Sequence, residues 1–376
     1  MKIKQIIKNN KTMKRSIITM ALAAGMLLSA SAQEKSRVLS LAHDGDNLFI
    51  GTNGYGLVVK NTASGEERQF QTSDNYPTCM AVGSGTLYIG SKHGGLSRLS
   101  LDGGFSMTID DASKLPTEDG IHAIDYDADG SSLNLTLCDT YNAYVMMEDG
   151  SWLTCKSVPM SFSSNFFINS IVTDRNGKKW IGSTENTRDV EEYGLMRVLP
   201  LDGTLAGTLG IGFALNGVSS LCAGTDKPLY VAAGSGLYSY DYRNMEQLYS
   251  GSACYEVQQS DDGTVWAVTK DALLKYDGES VTSYPTTSFE SEGNVCLEVA
   301  GGAVYVGGMT SGVYKFENGE FTKLEYDVAN GIDEVSSSSV IASPKVYSAD
   351  GKELDGLAKG LNIVRSADGK TVKVIR

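Results

Sequence analysis

The stretch TDRNGKKWIGS, residues 173–183, is the clearest copy of a unit that recurs along the chain. Asp174 and Gly177 are typical of a tight turn, and the tetrad KWIG ending at Gly182 is a short strand pattern with an aromatic residue at Trp180. Similar tetrads end at positions 51, 90, 136, 182, 232, 268 and 307, and they read LFIG, LYIG, LNLT, KWIG, LYVA, VWAV and VYVG. Successive copies are 36 to 50 residues apart, a spacing that indicates a structural repeat.

Each repeat divides into four short strands with alternating apolar and polar residues. In the last copy the strands are predicted at 294–299, 303–307, 312–317 and 320–325. Residue pairs that favour type I′ hairpins join the last two strands in three copies, at Asn318-Gly319, Asp149-Gly150 and Asp277-Gly278. A lone sheet of this kind exposes two faces and two edges, whereas stacking the sheets in a ring covers both faces. We therefore predict an all-β fold, a seven-bladed β-propeller of four-stranded antiparallel blades.

The predicted β-propeller occupies residues 33–327. Its blades are predicted at 38–72, 77–110, 121–158, 167–210, 218–250, 253–286 and 294–327. No strand is left over to complete a blade shared by the two ends, so the sequence leaves the closure of the ring open.

Shorter segments flank the ring. Residues 1–32 are predicted to be a signal peptide, because Lys14 and Arg15 precede an apolar run and Ala30-Ser31-Ala32 provides small residues for cleavage. A linker is predicted at 328–343 and a short C-terminal β-appendage at 344–376.

Composition narrows the classes of partner. The chain has a net charge of −13, and residues 1–32 carry six basic and no acidic side chains, so the mature chain has 26 basic against 45 acidic residues, a net of −19. Such a surface repels phosphate backbones and anionic lipid heads. We therefore expect neither nucleic acid as a partner nor insertion into a membrane.

The six cysteines favour packing over a disulfide framework. Cys79, Cys254 and Cys296 each stand three residues before a valine in the first strand of their repeats, and Cys222 lies in the corresponding strand of another. A residue at one register in several repeats is most simply a small apolar packer. Cys138 and Cys155 share one repeat and are the one pair for which a disulfide is left open.

A second motif opens the third strand of several repeats, at Gly56-Leu57, Gly95-Leu96, Gly194-Leu195, Gly236-Leu237 and Gly312-Val313. With the Asp174, Gly177 and Trp180 unit, it resembles the repeat of two-component-regulator propellers over about residues 38–327. The family pattern runs Asp, two residues, Gly, two residues, Trp, Ile or Val, Gly, Thr, and later Gly-Leu. The resemblance implies an extracytoplasmic sensor that recognises glycan fragments. Transmembrane, kinase and DNA-binding segments of that arrangement are not found, so signalling is not expected.

The end of the chain carries a different resemblance. Its elements Asp350-Gly351-Lys352, Lys359-Gly360-Leu361 and the basic, apolar end resemble the C-terminal sorting segment of proteins exported by the type IX system. The segment, about residues 331–376, is shorter than a full sorting domain. The resemblance implies contact with the secretion machinery and delivery to the cell surface, whereas a β-appendage without that role would leave the protein periplasmic.

Propellers bind ligands mainly on the face formed by the loops between the second and third strands and by the connections between blades. We name this the loop face. The fourth repeat has its longest loop, 184–193, and the preceding connection contributes Phe162, Phe166 and Phe167. Tyr and Phe walls with polar neighbours suit sugar rings and their hydroxyls, although a solvated insertion and a local apolar plug are equally consistent with these residues. The binding candidates are Tyr55, Lys92, His93, Tyr141, Asn142, Phe166, Glu185, Arg188 and Tyr193.

Catalysis is the alternative on the same face. Among His43, His93 and His122, only His93 is predicted there. A polysaccharide lyase would use His93 or Tyr193 as a base beside Arg188. A glycoside hydrolase would use two of the acidic residues Glu185, Asp189, Glu191 and Glu192.

The sequence has no nucleophile elbow, phosphate loop or zinc motif, and neither a metal nor a cofactor is expected. Trp180 and Trp266 stand where other repeats have Phe or Tyr, which favours packing between blades. The prediction is an exported, non-catalytic binding protein, periplasmic or at the cell surface, that recognises a glycan or a protein. A scaffold in a cell-envelope complex is the remaining alternative.

Overall fold

The structure is a computed structural model that describes residues 37–102, 104–127, 135–147, 149–157, 166–185, 195–199, 204–207, 215–286, 295–308 and 312–328, together with four short strands between 345 and 375. The predicted signal peptide and residues 329–343 of the predicted linker lie outside the described residues. The chain divides into two compact units, one up to Val328 and one from Ala329 to Arg376.

The first unit is built from repeats of four antiparallel strands. The first three repeats contain β1 (Val38–Asp44), β2 (Asn47–Thr52), β3 (Gly56–Asn61), β4 (Glu67–Phe70), β5 (Pro77–Gly83), β6 (Thr86–Ser91), β7 (Leu96–Ser100), β8 (Ser106–Ile109), β9 (Ala123–Tyr126), β10 (Leu135–Cys138), β11 (Ala143–Met146) and β12 (Trp152–Ser157). A single 3-10 turn, Ala112–Lys114, lies between β8 and β9.

The later repeats follow the same plan. They contain β13 (Phe166–Thr173), β14 (Lys179–Glu185), β15 (Leu195–Leu199), β16 (Thr204–Gly207), β17 (Val218–Ala223), β18 (Leu229–Ala233), β19 (Gly236–Tyr240), β20 (Met245–Tyr249), β21 (Cys254–Gln259), β22 (Val265–Thr269), β23 (Ala272–Tyr276), β24 (Val281–Pro285), β25 (Val295–Ala300), β26 (Ala303–Gly308), β27 (Gly312–Glu317) and β28 (Glu320–Leu324). The prediction of an all-β propeller with four-stranded antiparallel blades is confirmed.

The described residues of the first unit form six hydrogen-bonded sheets. The predicted number of seven separate blades is therefore wrong when each sheet is counted as one blade. Five sheets have four strands, and the third and fourth repeats share one sheet of eight. The two repeats join because β12 and β16 pair in parallel, with Lys156 opposite Thr204 and Ser157 opposite Leu205. Both are outer edge strands, and pairing satisfies backbone groups that an edge leaves free.

The first strands of the repeats lie side by side in the order β1, β5, β9, β13, β17, β21 and β25, and β25 lies beside β1 again. Among the residues that the structure describes, no strand is shared between the sheet of β1 and the sheet of β25. Val38 of the first repeat packs instead with Cys296 and Tyr305 of the last. The question that the sequence left open therefore has an answer: side-chain packing closes the ring.

Apolar clusters fill the space between neighbouring repeats. Trp180, for example, is buried against Leu215, Val218 and Tyr240 of the following repeat. Trp266 lies edge to face with Phe316 of the last repeat, with ring centroids 5.7 Å apart. The two tryptophans are packing residues between repeats, as the sequence predicted.

A disulfide between Cys138 and Cys155 is excluded by the strand order. Cys138 on β10 lies opposite Ala143 on β11, and Ala143 lies opposite Cys155 on β12. The two cysteines are thus two strands apart, roughly 10 Å between their Cα atoms. A disulfide needs that distance to be below about 7 Å. None of the six cysteines forms a disulfide.

The second unit has its own small sheet. It contains β29 (Lys345–Ser348), β30 (Glu353–Leu354), β31 (Leu361–Arg365) and β32 (Thr371–Ile375), in the order β30-β29-β31-β32. The predicted C-terminal β-appendage begins and ends within one residue of these strands.

Candidate functional site

Two clusters of side chains stand on the loop face of the first four repeats. We name them the histidine cluster, formed by Asp74, Tyr76, Lys92 and His93, and the aromatic pair, formed by Tyr141 and Phe167. The sequence named Lys92, His93, Tyr141 and Phe167 on this face, whereas it did not propose Asp74 or Tyr76.

In the histidine cluster the carboxylate of Asp74 holds the loop between β6 and β7. Its Oδ2 accepts hydrogen bonds from the backbone N of His93 at 2.8 Å and from His93 Nδ1 at 3.1 Å. The imidazole meets the ring of Tyr76 edge to face, with centroids 5.3 Å apart, and Lys92 Nζ lies 6.0 Å from the same ring. His93 remains 61% exposed, so its Nε2 is directed to solvent while Asp74 fixes the ring.

The position of Asp74 in the sequence could have predicted its contact with His93. Asp74 lies in the connection between the first two repeats, and Asp74 Oδ1 also accepts from Tyr76 N at 2.7 Å. Connections and loops meet on one face in a propeller, so an acidic residue in a connection is a natural partner for a basic residue in the next loop. The pairing spans 19 residues and needs the register of the sheet to be known.

The aromatic pair bridges the third and fourth repeats. Tyr141 follows β10 and Phe167 belongs to β13, and their ring centroids are 6.3 Å apart with an interplanar angle of 31°. The two side chains are 47% and 41% exposed. With Ile109 they are the large hydrophobic side chains recorded as exposed among the described residues. Two adjacent exposed rings on a loop face form an apolar patch that water solvates poorly.

Asn142 points inward, away from the face. Its backbone N and that of Tyr141 donate to Asp139 Oδ1, and its side chain donates to Tyr144 Oη at 3.3 Å. Tyr144 Oη in turn donates to Asp139 Oδ2 at 2.5 Å. Burial and this carboxylate raise the pKa of Tyr144 to about 12. Asn142 therefore shapes the loop that presents Tyr141.

A second histidine also belongs to this end of the molecule, which corrects the prediction that only His93 does. His122 precedes β9, and its Nε2 lies 3.2 Å from Thr140 Oγ1 in the loop after β10. The residue keeps an exposed surface, but desolvation by the protein around its ring lowers the pKa of His122, and Asp139 and Asp119 oppose that effect. His122 is thus a neutral donor or acceptor near the aromatic pair at neutral pH.

The other candidates divide into three groups. Tyr55 is half-buried, and its carbonyl accepts from Gln69 Nε2 at 2.7 Å. Phe166 and Glu185 are placed by their backbones as opposite residues of β13 and β14. Arg188 and Tyr193 lie outside the described residues.

A cavity of about 140 Å³ lies between the first and last repeats, at the turn after β1 and therefore opposite the loop face. Its polar lining includes His43, Asp46, Thr62 and Lys315. Ligand pockets for drug-sized molecules are usually about 300 Å³ or larger. This cavity is too small to be the main ligand site.

Two further properties concern the described part of the chain. No group of three or more His, Cys, Asp or Glu side chains is arranged there to hold a metal ion. None of its helices has the length and apolar character needed to cross a membrane.

Comparison with solved structures gives the fold. The extracellular domain of BT4673 from B. thetaiotaomicron, described as a one-component system, matches with a TM-score of 0.50 and 14% identity over 90% of this chain and 51% of that one. The computationally designed protein Ika8 matches with a TM-score of 0.52 and 12% identity, over 91% and 97% of the two chains. The WD40 β-propeller domain of Doa1 matches with a TM-score of 0.57 and 11% identity, over 75% of this chain and 93% of that one.

These likenesses show a β-propeller and no more, since identities this low do not carry function. The chain spans about half the length of the BT4673 domain that it matches. No protein-family model matches the sequence, and a search of curated proteins gave no match.

Proposed function

We propose that this protein is an exported, non-catalytic binding propeller that recognises a glycan or a protein partner on its loop face. The aromatic pair carries the proposal. Tyr141 and Phe167 leave more than two fifths of their surfaces exposed beside each other, where two repeats meet. Paired rings suit the apolar face of a sugar or a hydrophobic side chain of a partner.

The surroundings of the aromatic pair support a ligand with hydroxyl or amide groups. His122 Nε2 and Thr140 Oγ1 lie 3.2 Å apart beside the pair and can donate and accept hydrogen bonds. The loop that carries Tyr141 is fixed by Asp139, so a ligand would meet a preorganised surface.

Screening on a glycan array and by pull-down from the native envelope tests the proposal. The double variant Tyr141→Ala/Phe167→Ala should weaken the ligand found by about tenfold or more, because two stacking rings are lost. Ile109→Ala is the matched control, since Ile109 is also exposed but lies on the outer strand β8. The absence of any ligand, or equal binding by the double variant, would contradict the proposal.

A second candidate function rests on the histidine cluster. Asp74 orients His93 and leaves Nε2 facing solvent, which is the arrangement of a general base held by a carboxylate. We therefore keep a polysaccharide lyase or glycoside hydrolase as the alternative. Turnover of polysaccharides that is lost in His93→Ala and reduced in Asp74→Asn would favour it, and turnover unchanged in His93→Ala would remove it.

Export is part of the proposal. It is supported by the N-terminal apolar run, by the resemblance of the C-terminal segment to type IX sorting segments, and by a structural neighbour that is an extracellular domain. Deletion of residues 344–376 should keep the protein in the periplasm if this unit directs surface delivery. Fractionation with surface protease digestion measures the outcome, and unchanged surface exposure would contradict that role.

A further inference from the structure

The junction between the first and last repeats is the one place in the ring that no chain connection crosses. His43 on β1 places its Nδ1 2.5 Å from Oε1 of Glu298 on β25, across 255 residues of sequence. The other carboxylate oxygen of Glu298 accepts from Nε2 of Gln258 on β21 at 2.8 Å. One carboxylate therefore links three repeats at the point where the ring closes.

An apolar cluster of side chains from both repeats also packs at this junction. Val38 packs against Cys296 and Tyr305, and the backbone N of Asp327 donates to Oε2 of Glu67 at 2.9 Å. No β-sheet hydrogen bonds join the two sheets. Within the described part of the chain, the pair formed by His43 and Glu298 is thus a titratable polar link between the two ends of the ring, in addition to the contact of Asp327 with Glu67.

We propose that this junction is a proton-dependent latch, which holds the ring closed most firmly when His43 carries a proton and loosens as the pH rises. A protonated imidazole pairs with the Glu298 carboxylate as a charge-assisted hydrogen bond, whereas a neutral one offers a weaker neutral donor. His43 also lines the cavity beside the junction, so protons and water reach it.

The charges around the pair favour protonation of His43. Asp44 on the same strand and Asp261 in the turn after β21 add negative charge to that of Glu298. On the cavity side stand Asp46 and Lys315. The hydrogen bond to Glu298 is the largest cause that raises the pKa of His43, and burial opposes it.

The sign of the effect follows from the raised pKa. A histidine whose pKa is higher in the closed ring than in the open one stabilises the closed ring fully below its ordinary value of about 6.5. That stabilisation is lost as the pH rises through the raised value.

Glu256 acts in the same direction. Its Oε2 accepts from the backbone N of Leu297 on β25 at 2.7 Å. The residue keeps some accessible surface, but protein surrounds its carboxyl, and burial with the nearby Glu298 raises the pKa of Glu256 to about 8. The stability that the protonated carboxyl of Glu256 contributes to the folded ring is therefore also lost as the pH rises from about 4.5 to about 8.

Cys296 is a natural reporter of the latch, because it packs at the closing junction against Val38. Cys155, buried between the third and fourth repeats, is the matched internal control. The full chain is alkylated at several pH values between about 5.5 and 8.5, and labelling of each cysteine is quantified by peptide mass spectrometry. At each pH, the alkylation rate of a cysteine in urea is divided by its rate in the native protein to give a protection factor. Ionisation of the exposed thiol affects both rates equally, so it cancels in this ratio.

The protection of Cys296 should fall with rising pH while that of Cys155 changes little. Each unit by which the pKa of His43 is raised corresponds to about tenfold in protection. In His43→Gln the fall due to His43 should disappear, whereas His93→Gln should behave as the wild type because its partner Asp74 lies on the loop face. A pH-independent Cys296, or an unchanged pH dependence in His43→Gln, would overturn the proposal.

The wild type alone also tests the latch if the variants do not fold. The chain contains three histidines, so their imidazole signals can be followed individually by NMR. The latch requires the pKa of His43 to exceed about 6.5. A measured value at or below that number would overturn it.

Discussion

The carboxylate of Asp174 accepts four hydrogen bonds in the turn that leads into β14. Its Oδ1 accepts from the backbone N of Asn176 at 2.8 Å and of Lys178 at 3.0 Å. Its Oδ2 accepts from Trp180 Nε1 at 2.8 Å and from Tyr242 Oη at 2.7 Å. The carboxylate thus ties the turn both to its own strand and to the next repeat. This explains the Asp-to-Trp spacing as a structural device.

Asp174→Ala should therefore lower the free energy of unfolding by about 3 kcal/mol or more, because the buried Trp180 donor would lose its charged partner. Urea denaturation followed by tryptophan fluorescence measures the loss. Asp262→Ala is the matched control, since Asp262 occupies an exposed turn of the sixth repeat and bonds to Ser260 and Thr264. Its replacement should cost about 1 kcal/mol or less, and equal losses in the two variants would contradict this account.

A buried ion pair links the third and fourth repeats. Lys179 Nζ lies 3.3 Å from Asp125 Oδ2 and 2.7 Å from Thr173 Oγ1, and its side chain is 3% exposed. Thr173 Oγ1 also donates to Asp125 Oδ2 at 2.5 Å. The lysine is thus compensated by one carboxylate and one hydroxyl.

Removing one charge from this pair should cost more than removing both. Asp125→Asn leaves a buried ammonium and should destabilise the protein by about 3 to 5 kcal/mol. Adding Lys179→Met should recover most of the loss, because a methionine of similar length fills the site without charge. A double-mutant cycle in urea measures the coupling, and additive losses would show that the pair is not coupled.

The three predicted type I′ turns show how far a pair of residues alone determines the type of a turn. Asn318 and Gly319 have φ of 52° and 87°, so this turn is confirmed. In Asp149-Gly150 and Asp277-Gly278 only the glycines have positive φ, and the prediction is wrong there. The Asp277 carboxylate accepts from the backbone N of Glu279 and Ser280, which stabilises a wider turn. Aspartate bonds to the following backbone, whereas Asn318 adopts the left-handed conformation.

The glycine that ends the tetrad in several second strands allows neighbouring repeats to approach closely. A Cβ at Gly90 would lie 2.6 Å from both Cys79 Sγ and Ile121 Cγ2, the latter in the next repeat. A Cβ at Gly307 would lie 2.8 Å from Val38 Cγ1 across the ring closure. The final glycine of the tetrads is therefore a contact position between repeats.

Gly90→Ala should destabilise the protein by about 1 to 3 kcal/mol, since the added methyl overpacks the interface. Thermal unfolding followed by circular dichroism measures the change. Gly65→Ala is the control, because Gly65 has φ +79° in an open turn with no atom near the added Cβ. It should show only the cost of a left-handed backbone, about 1 kcal/mol. A stability equal to wild type in Gly90→Ala would contradict the packing role of this position.

At the scale of the whole molecule, the six thiols report on the integrity of the ring. Burial raises the pKa of Cys79, Cys222 and Cys254 to about 12, and those of Cys138 and Cys296 well above their usual value. Thiols react as thiolates, so the folded protein should react slowly.

Without a reductant, alkylation in urea should add six labels per chain, and brief alkylation of the native protein near pH 8 should add almost none. Intact-mass analysis measures both numbers. Fewer than six labels in urea would reveal a disulfide, which the strand order excludes for Cys138 and Cys155. Rapid native labelling would show that the ring opens more readily than its packing indicates.

The sequence by itself determined the all-β class, the four-strand plan and the positions of the inner strands. These properties follow from local patterns, because alternation, tight-turn residues and a repeated tetrad depend on neighbours within about ten residues. The same patterns placed Trp180 and Trp266 between repeats. Local patterns also placed His93 and Tyr141 in loops of one face.

The tertiary structure alone decided which side chains meet across repeats. Asp74 with His93, Tyr141 with Phe167 and His43 with Glu298 are set by the stacking of sheets, which a single sequence does not encode locally. The joining of the third and fourth repeats depends in the same way on two edge strands that meet in space. The physical reason is that strand periodicity fixes the face on which a residue lies, whereas the packing of the whole ring fixes its partner.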